Sequence, residues 1–248
     1  MAGKLTVDAA TGHVTGPASI QYNDPWPCPN GAQGSGAMMG CVMHTMVGNL
    51  PGTVSWFNDP QAQASAHFGI DQSGLIHQFG PIGKGWMAWA QAAGNVAWYS
   101  IEHADNGNPA NPLTAAQVTA SAQILECLSA FAGFPLQVSD SPSVKGYGWH
   151  GMGGEAWGGH FDCPGDVRRS QRAAVVSLAS SIRSGGRVAG PYRHTADGHE
   201  TLTEIAAARN TTPAHILQVT AAALTAADLG DIARLPLPEG FPWYSTNP

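Results

Sequence analysis

The hydrophobic period of the chain changes near residue 112, and this change constrains the fold more than any other feature of the sequence. Before it, short apolar segments of strand length lie between glycine-containing turns, at residues 39–47, 65–71, 75–79 and 97–103. Over residues 112–133 apolar side chains recur at helical spacing, and Thr114 and Gln117 occupy the positions of a capping box. A second helical pattern covers residues 166–183. Strands interleaved with helices predict an α/β fold with a mixed central sheet flanked by helices.

Composition divides the chain into four stretches. Residues 1–36 are rich in Gly and Pro without a sustained period, which predicts an extended N-terminal arm docked on the next domain. Residues 37–186 hold the strand and helix patterns of the main domain, and residues 187–191 are a candidate linker. The pattern over residues 192–248 is strand, helix, helix, strand, which predicts a small βααβ module.

Charge and hydropathy exclude several function classes. With 11 Lys and Arg against 17 Asp and Glu, the net charge of −6 argues against a nucleic-acid binder that neutralises phosphates. No run reaches the roughly 20 apolar residues of a membrane span, so membrane insertion is not expected. The N-terminus lacks the basic start and apolar stretch of a secretory signal, so we expect a cytoplasmic protein until it is released. Four cysteines are too few for a disulfide scaffold, which leaves thiols for chemistry or metal binding.

The densest group of chemistry-bearing residues lies between residues 148 and 166. His150, His160 and Cys163 occur there on a Gly-rich loop that leads into a helix. Imidazole and thiolate are ligands that zinc prefers, and three protein ligands leave a position open for catalysis. The same spacing also fits a surface loop that carries these residues incidentally. Glu102 lies on a strand expected to be buried, where a carboxylate is rare without a partner or a task.

Five short motifs within residues 36–186 give the chain a family resemblance. They occur in the order Val42-Met43-His44-Thr45, Ala66-His67-Phe68 with Gly69-Ile70-Asp71 and Gly74, Gly94-Asn95 ahead of Ser100-Ile101-Glu102-His103, His150, and Asp162-Cys163-Pro164-Gly165. Together they resemble the zinc-dependent N-acetylmuramoyl-L-alanine amidases, the group that includes peptidoglycan recognition proteins and many phage endolysins.

The resemblance implies a function and a set of site residues. It assigns Zn²⁺ to His44, His150 and Cys163, and a catalytic carboxylate to Glu102. The implied activity is hydrolysis of the amide bond between N-acetylmuramic acid and L-alanine in bacterial peptidoglycan, by an endolysin or a related cell-wall lytic enzyme. Members that lose the Cys ligand are typically binding proteins, so the presence of Cys163 favours an enzyme. The alternatives are a non-catalytic peptidoglycan-binding protein and a structural component of a phage-like particle.

The chain departs from the family pattern around the third ligand. His150 and Cys163 are 13 residues apart, which is longer than the usual spacing and makes His160 a rival ligand. Phe161 stands where many members carry Lys or Thr and cannot donate a hydrogen bond to the oxyanion. His160 and Asp162 are therefore the candidates for that role. We take His160 as the second catalytic residue.

The C-terminal stretch has a resemblance of its own. Residues 192–238 resemble a degenerate LysM module, a small fold that binds chains containing N-acetylglucosamine, through Tyr192-Arg193-His194-Thr195 and two short helical patterns. The alternative is a plain helical hairpin packed on the main domain.

Overall fold

The computed structural model describes residues 4–16, 18, 20–22, 37–185, 192–195 and 242–245. The chain divides into two compact units, Ala2–Gly186 and Arg187–Pro248, with Met1 grouped in the second. In the second unit, β9 (Tyr192–Thr195) confirms the strand predicted there and pairs antiparallel with β10 (Pro242–Ser245). The two predicted helices of the βααβ module, like the predicted closing strand at residues 235–237, lie outside the described residues.

A six-stranded mixed sheet forms the centre of the first unit. Its strands are β3 (Ile20–Tyr22), β4 (Gly40–Thr45), β5 (Phe68–Ile70), β6 (Ile76–Gln78), β7 (Trp98–His103) and β8 (Gly146–Trp149). Their spatial order is β3-β6-β5-β7-β4-β8, and within this sheet only the β5–β6 pair is antiparallel. The mixed α/β architecture predicted from the sequence is confirmed.

The segment predicted as an extended arm contributes strands to this unit. A short ribbon of β1 (Thr6–Val7) and β2 (Val14–Thr15) precedes β3, which pairs in parallel with β6 at the edge of the sheet. Residues 23–36, which complete the predicted arm, lie outside the described part of the chain.

Helices cover both faces of the sheet. On one face, α1 (Leu50–Phe57) packs closely against β5. A Cβ added to Gly69 would lie only 2.8 Å from Leu50 Cδ1. On the other face, Ser121 of α2 (Ala115–Ala132) lies with its Oγ 2.7 Å from His103 Nε2. The central strands are buried almost throughout, as expected of parallel strands covered on both sides.

The two helices predicted within residues 37–186 are present with one correction. The capping box of Thr114 and Gln117 opens α2, and Gly133 ends it in the left-handed conformation at φ 73°. The single helix predicted over residues 166–183 is instead two, α3 (Asp166–Ser170) and α4 (Arg172–Arg183), which meet at Gln171. At this junction the Gln171 side chain accepts a hydrogen bond from the Leu113 N–H and donates one to the Leu113 carbonyl. Among the described residues, no helix combines the length and apolarity needed to cross a bilayer.

Candidate metal centre

The sheet itself sets His44 beside Glu102. They are direct partners in the parallel register of β4 and β7, so their side chains leave the same face near the carboxyl ends of neighbouring strands. His44 Nδ1 lies 3.8 Å from Glu102 Oε1. The next pair in the register, Thr45 and His103, lies on the opposite face. Strand alternation therefore separates Glu102 from His103.

His150 and Cys163 reach the same place from the other side of β4. His150 follows β8 directly and begins a 3₁₀ segment, His150–Trp157. The Gly151 N–H donates a hydrogen bond of 3.1 Å to the Cys163 carbonyl, which holds the two ends of the loop together. The structure thus gathers His44, His150 and Cys163 into one cluster, in which the potential ligand atoms all lie within 4.8 Å of one another.

The imidazoles are oriented by hydrogen bonds on their far sides. His150 Nε2 lies 3.0 Å from the Trp157 carbonyl oxygen, which can only accept, so Nε2 carries the proton and Nδ1 keeps its lone pair. His44 Nε2 lies 3.0 Å from Gln91 Oε1. A hydrogen bond from the distal nitrogen is the usual support of a metal-binding histidine.

Burial favours the uncharged form of each ionisable side chain in and beside the cluster. Desolvation, followed by the neighbouring His150, holds the pKa of His44 well below its usual 6.5, and desolvation lowers the pKa of His150 to about 4. Both imidazoles are therefore neutral at pH 7, the form that binds metals. Burial and then the Glu102 carboxyl raise the pKa of the Cys163 thiol to about 12. Burial and then Asp105 raise the pKa of Glu102 to about 8.

The residues present fit a zinc ion. Two neutral imidazoles and a thiol that can ionise form a set of three N and S donors, which in zinc enzymes leaves a position for water or substrate. Glu102 Oε2 is buried without a hydrogen-bond partner in the described structure, which is costly for a carboxyl group. A cation or a water held in the cluster would satisfy this oxygen.

The cluster lies in an open groove of about 510 Å³. His44, Glu102, His150 and Cys163 line it together with residues of α1 and of the β4–α1 loop. Exposed apolar side chains, Val47 at 72% and Trp56 at 56%, flank this groove. A polymer with polar and apolar faces can therefore lie across the cluster.

His160 and Asp162, the alternatives considered for the third ligand and the oxyanion donor, lie in different places. His160 is exposed and lines the groove, with its ring centroid 4.7 Å from that of His150. It is not in the group of three that could hold a metal. Asp162 is exposed and lines a separate shallow depression with Trp149 and Phe161. The geometry therefore brings His160, and not Asp162, to the rim of the cluster.

Sequence reasoning missed the polar groups that hold the end of β4. Arg168 is fully buried and donates to the Thr45 hydroxyl at 3.2 Å and to the His103 carbonyl at 3.1 Å. The same hydroxyl donates to Asp105 Oδ2 at 2.9 Å, and Asp105 Oδ1 accepts from the Gly48 N–H at 2.6 Å. The two buried charges thus fix the residue that follows His44. Only the folded structure brings these groups together, because they are 57 to 123 positions apart.

Three comparisons with known proteins agree with this geometry. A sequence profile of the family described as N-acetylmuramoyl-L-alanine amidase matches residues 35–166. The chain is 35% identical over 140 residues to N-acetylmuramoyl-L-alanine amidase A of Achromobacter lyticus, covering 50% of this chain and 77% of that protein. The crystal structure of the Staphylococcus aureus hydrolase AmiA in complex with its ligand superposes with a TM-score of 0.51 at 15% identity, over 69% of this chain and 87% of that one.

The mixed α/β fold is that of the superposed hydrolase structure, and the sequence matches add an activity class, that of an amide hydrolase. The chain belongs to the N-acetylmuramoyl-L-alanine amidase family, because the profile spans more than half of its residues. The predictions of an enzyme, and of peptidoglycan amidase activity for it, are thereby confirmed.

Proposed function

We propose that this amidase works through a zinc ion held by His44, His150 and Cys163, with Glu102 as the group that accepts and returns a proton. The observation that carries the proposal is the cluster of three donors within 4.8 Å, with Glu102 Oε1 3.8 Å from His44 Nδ1. When bound, zinc would supply Lewis-acid activation of water and of the scissile carbonyl group.

The reaction divides between the residues as follows. Glu102 accepts a proton from the attacking water, whose oxygen forms the new bond to the lactyl carbonyl carbon of N-acetylmuramic acid. The bond to the L-alanine nitrogen breaks, and Glu102 returns its proton to that leaving amine. A cation in the cluster would lower the pKa of Glu102 from the value that burial gives it, so the carboxylate is available as a base.

His160 is the proposed second catalytic residue. Its exposed imidazole lies at the rim of the groove, beside His150, where it can donate a hydrogen bond to the carbonyl oxygen as negative charge develops there. Such donors, aimed at the developing charge, commonly contribute about 10² to 10³ in rate. Asp162, the other candidate, carries no proton to donate when ionised.

The proposal extends to the substrate and to the second unit. The substrate is bacterial peptidoglycan, and residues 192–248 are proposed as a LysM-like module that binds it through N-acetylglucosamine. With few basic residues and a net charge of −6, the chain is not proposed to bind nucleic acid or to insert into membranes. We further propose that it acts as an endolysin or a related lytic enzyme that reaches the wall from the cytoplasm upon release.

The test follows the bond that breaks. Purified full-length protein is incubated with dye-labelled peptidoglycan, and the products are analysed for new L-alanine amino termini by mass spectrometry. We expect release of dye with one new alanine amine per cut, loss of release after chelation, and its return with zinc. Binding to peptidoglycan without new amino termini would contradict the proposal and favour a non-catalytic binding protein.

A further inference from the structure

We infer that Gln91 is a positioning residue, which fixes the tautomer of His44 so that its Nδ1 lone pair faces the metal cluster. The inference rests on the proposed function, because it names the support of one proposed zinc ligand. Gln91 is 1% exposed and precedes the 3₁₀ segment Ala92–Val96. No pattern in the sequence marks it, since it lies 47 positions from its partner.

The orientation of the Gln91 amide follows by elimination. Its Nε2 lies 3.1 Å from the Trp98 carbonyl oxygen, which can only accept a hydrogen bond. The NH₂ group must therefore face that carbonyl, and the amide oxygen must face His44. An amide oxygen accepts only, so His44 Nε2, 3.0 Å away, must be the donor. A neutral imidazole has one N–H, which leaves Nδ1 with its lone pair.

The backbone of Gln91 is held as firmly as its side chain. Its N–H donates to Asn95 Oδ1 at 2.7 Å, and the Ala90 N–H donates to the same oxygen at 3.0 Å. Asn95 is itself 8% exposed. Turning the amide away from His44 would leave buried polar groups without hydrogen-bond partners, which is unfavourable.

Gln91 and Glu102 compete for the single proton of the His44 ring. The two acceptors lie on opposite sides of the His44 ring, Gln91 Oε1 at Nε2 and Glu102 Oε1 at Nδ1, and the ring has one proton to give. If the proton moved to Nδ1, it would occupy the lone pair that a metal needs and point towards Glu102 Oε1, 3.8 Å away. Gln91 therefore selects the tautomer that keeps both Nδ1 and Glu102 free for the reaction.

The experiment reads the tautomer directly. Full-length metal-free protein labelled with ¹⁵N-histidine is examined at pH 9, above the pKa of about 8 that burial gives Glu102, so that this carboxylate can only accept. The tautomer is read by long-range ¹H–¹⁵N correlation NMR, with the His44 signals assigned from their loss in His44→Gln. We expect the proton on Nε2 in the wild type, and a shift of population to Nδ1 in Gln91→Leu. Zinc affinity, measured by competition with a chromophoric chelator, should fall by about 10- to 100-fold in that variant.

A matched control separates positioning from general loss of a buried amide. Gln78 is 2% exposed and bonds to Val14, Gly12 and Gly80 on the opposite side of β5 from the cluster, so Gln78→Leu should keep both the tautomer and the zinc affinity. A wild-type His44 protonated on Nδ1, or an unchanged tautomer in Gln91→Leu, would overturn the inference even if zinc binds. Wild-type protein that binds no zinc but shows the Nε2 proton would overturn the proposed function and leave the inference standing. The wild-type tautomer can be read whether or not Gln91→Leu folds.

Discussion

Replacing Glu102 with Gln should slow turnover and, at the same time, stabilise the metal-free protein in a pH-dependent way. In the folded protein, burial and then Asp105 raise the pKa of this carboxyl from 4.5 to about 8. In the unfolded chain it titrates near its ordinary value, so the folded state favours the protonated form between these two pH values. Folded stability is therefore unaffected by this group below the unfolded pKa and falls as the pH rises towards 8.

The size of this effect follows from the two pKa values. Each full pH unit between them costs about 1.36 kcal/mol of folding free energy. Integrated over the titration, the penalty is about 1 kcal/mol at pH 5 and about 4 kcal/mol at pH 8. The Glu102 side chain is only 14% exposed, so solvent screens little of it. A Gln side chain has nearly the same shape and cannot ionise, so it removes the penalty.

The assay is urea unfolding of chelator-treated wild type and Glu102→Gln at pH 5, 7 and 8. The variant should be more stable by an amount that grows with pH, because only the wild-type carboxyl loses folding free energy as it ionises. With zinc restored, the Glu102 variant should keep the metal and lose about 10² to 10⁴ in turnover, because an amide cannot accept the proton. A stability difference that is constant across pH would refute the electrostatic reasoning, and turnover near wild type would remove Glu102 from the mechanism.

Three further outcomes are expected. Cys163→Ala should lose stoichiometric zinc in elemental analysis, whereas His160→Ala should keep it and lose rate; the reverse would exchange their roles. Val47→Gly should raise the free energy of unfolding by about 1 kcal/mol, because Val47 has φ 49° with its side chain 72% exposed, and a β-branched residue is strained there; a lower urea midpoint would contradict this. Residues 1–186 alone should still cut soluble muropeptide yet act on intact wall about 10² to 10⁴ times less well, through loss of the tethered module; equal activity on both substrates would mean that the last residues add no binding.

Local patterns predict the parts of this fold that are local in origin. The bounds of α2 are predicted by its N-terminal capping box and by the glycine at its C-terminus. The face that His44 and Glu102 share follows from strand alternation and parallel pairing. The helix α1 was missed, although Asn49 caps it and proline stands in its first turn, because eight residues carry too little of a 3.6-residue period.

The supports of the site escape sequence reasoning for a different reason. Gln91 bonds to His44, and Arg168 bonds to Thr45, across separations that leave no spacing to read. A buried glutamine or arginine is also improbable from composition alone, so only its partners in the folded chain justify its place. The proposed ligands, in contrast, came from the family resemblance, which rests on short motifs and their order along the chain.

The loop between His150 and Cys163 connects two of the proposed ligands and also supports one of them. Its ends are joined by the bond from Gly151 to Cys163, so the spacing between the two donors in space does not depend on how many residues lie between them. The loop itself brings the Trp157 carbonyl back onto His150, 3.0 Å from its Nε2. The loop is therefore more than a connection, because a deletion that removed Trp157 would also remove the acceptor that orients His150.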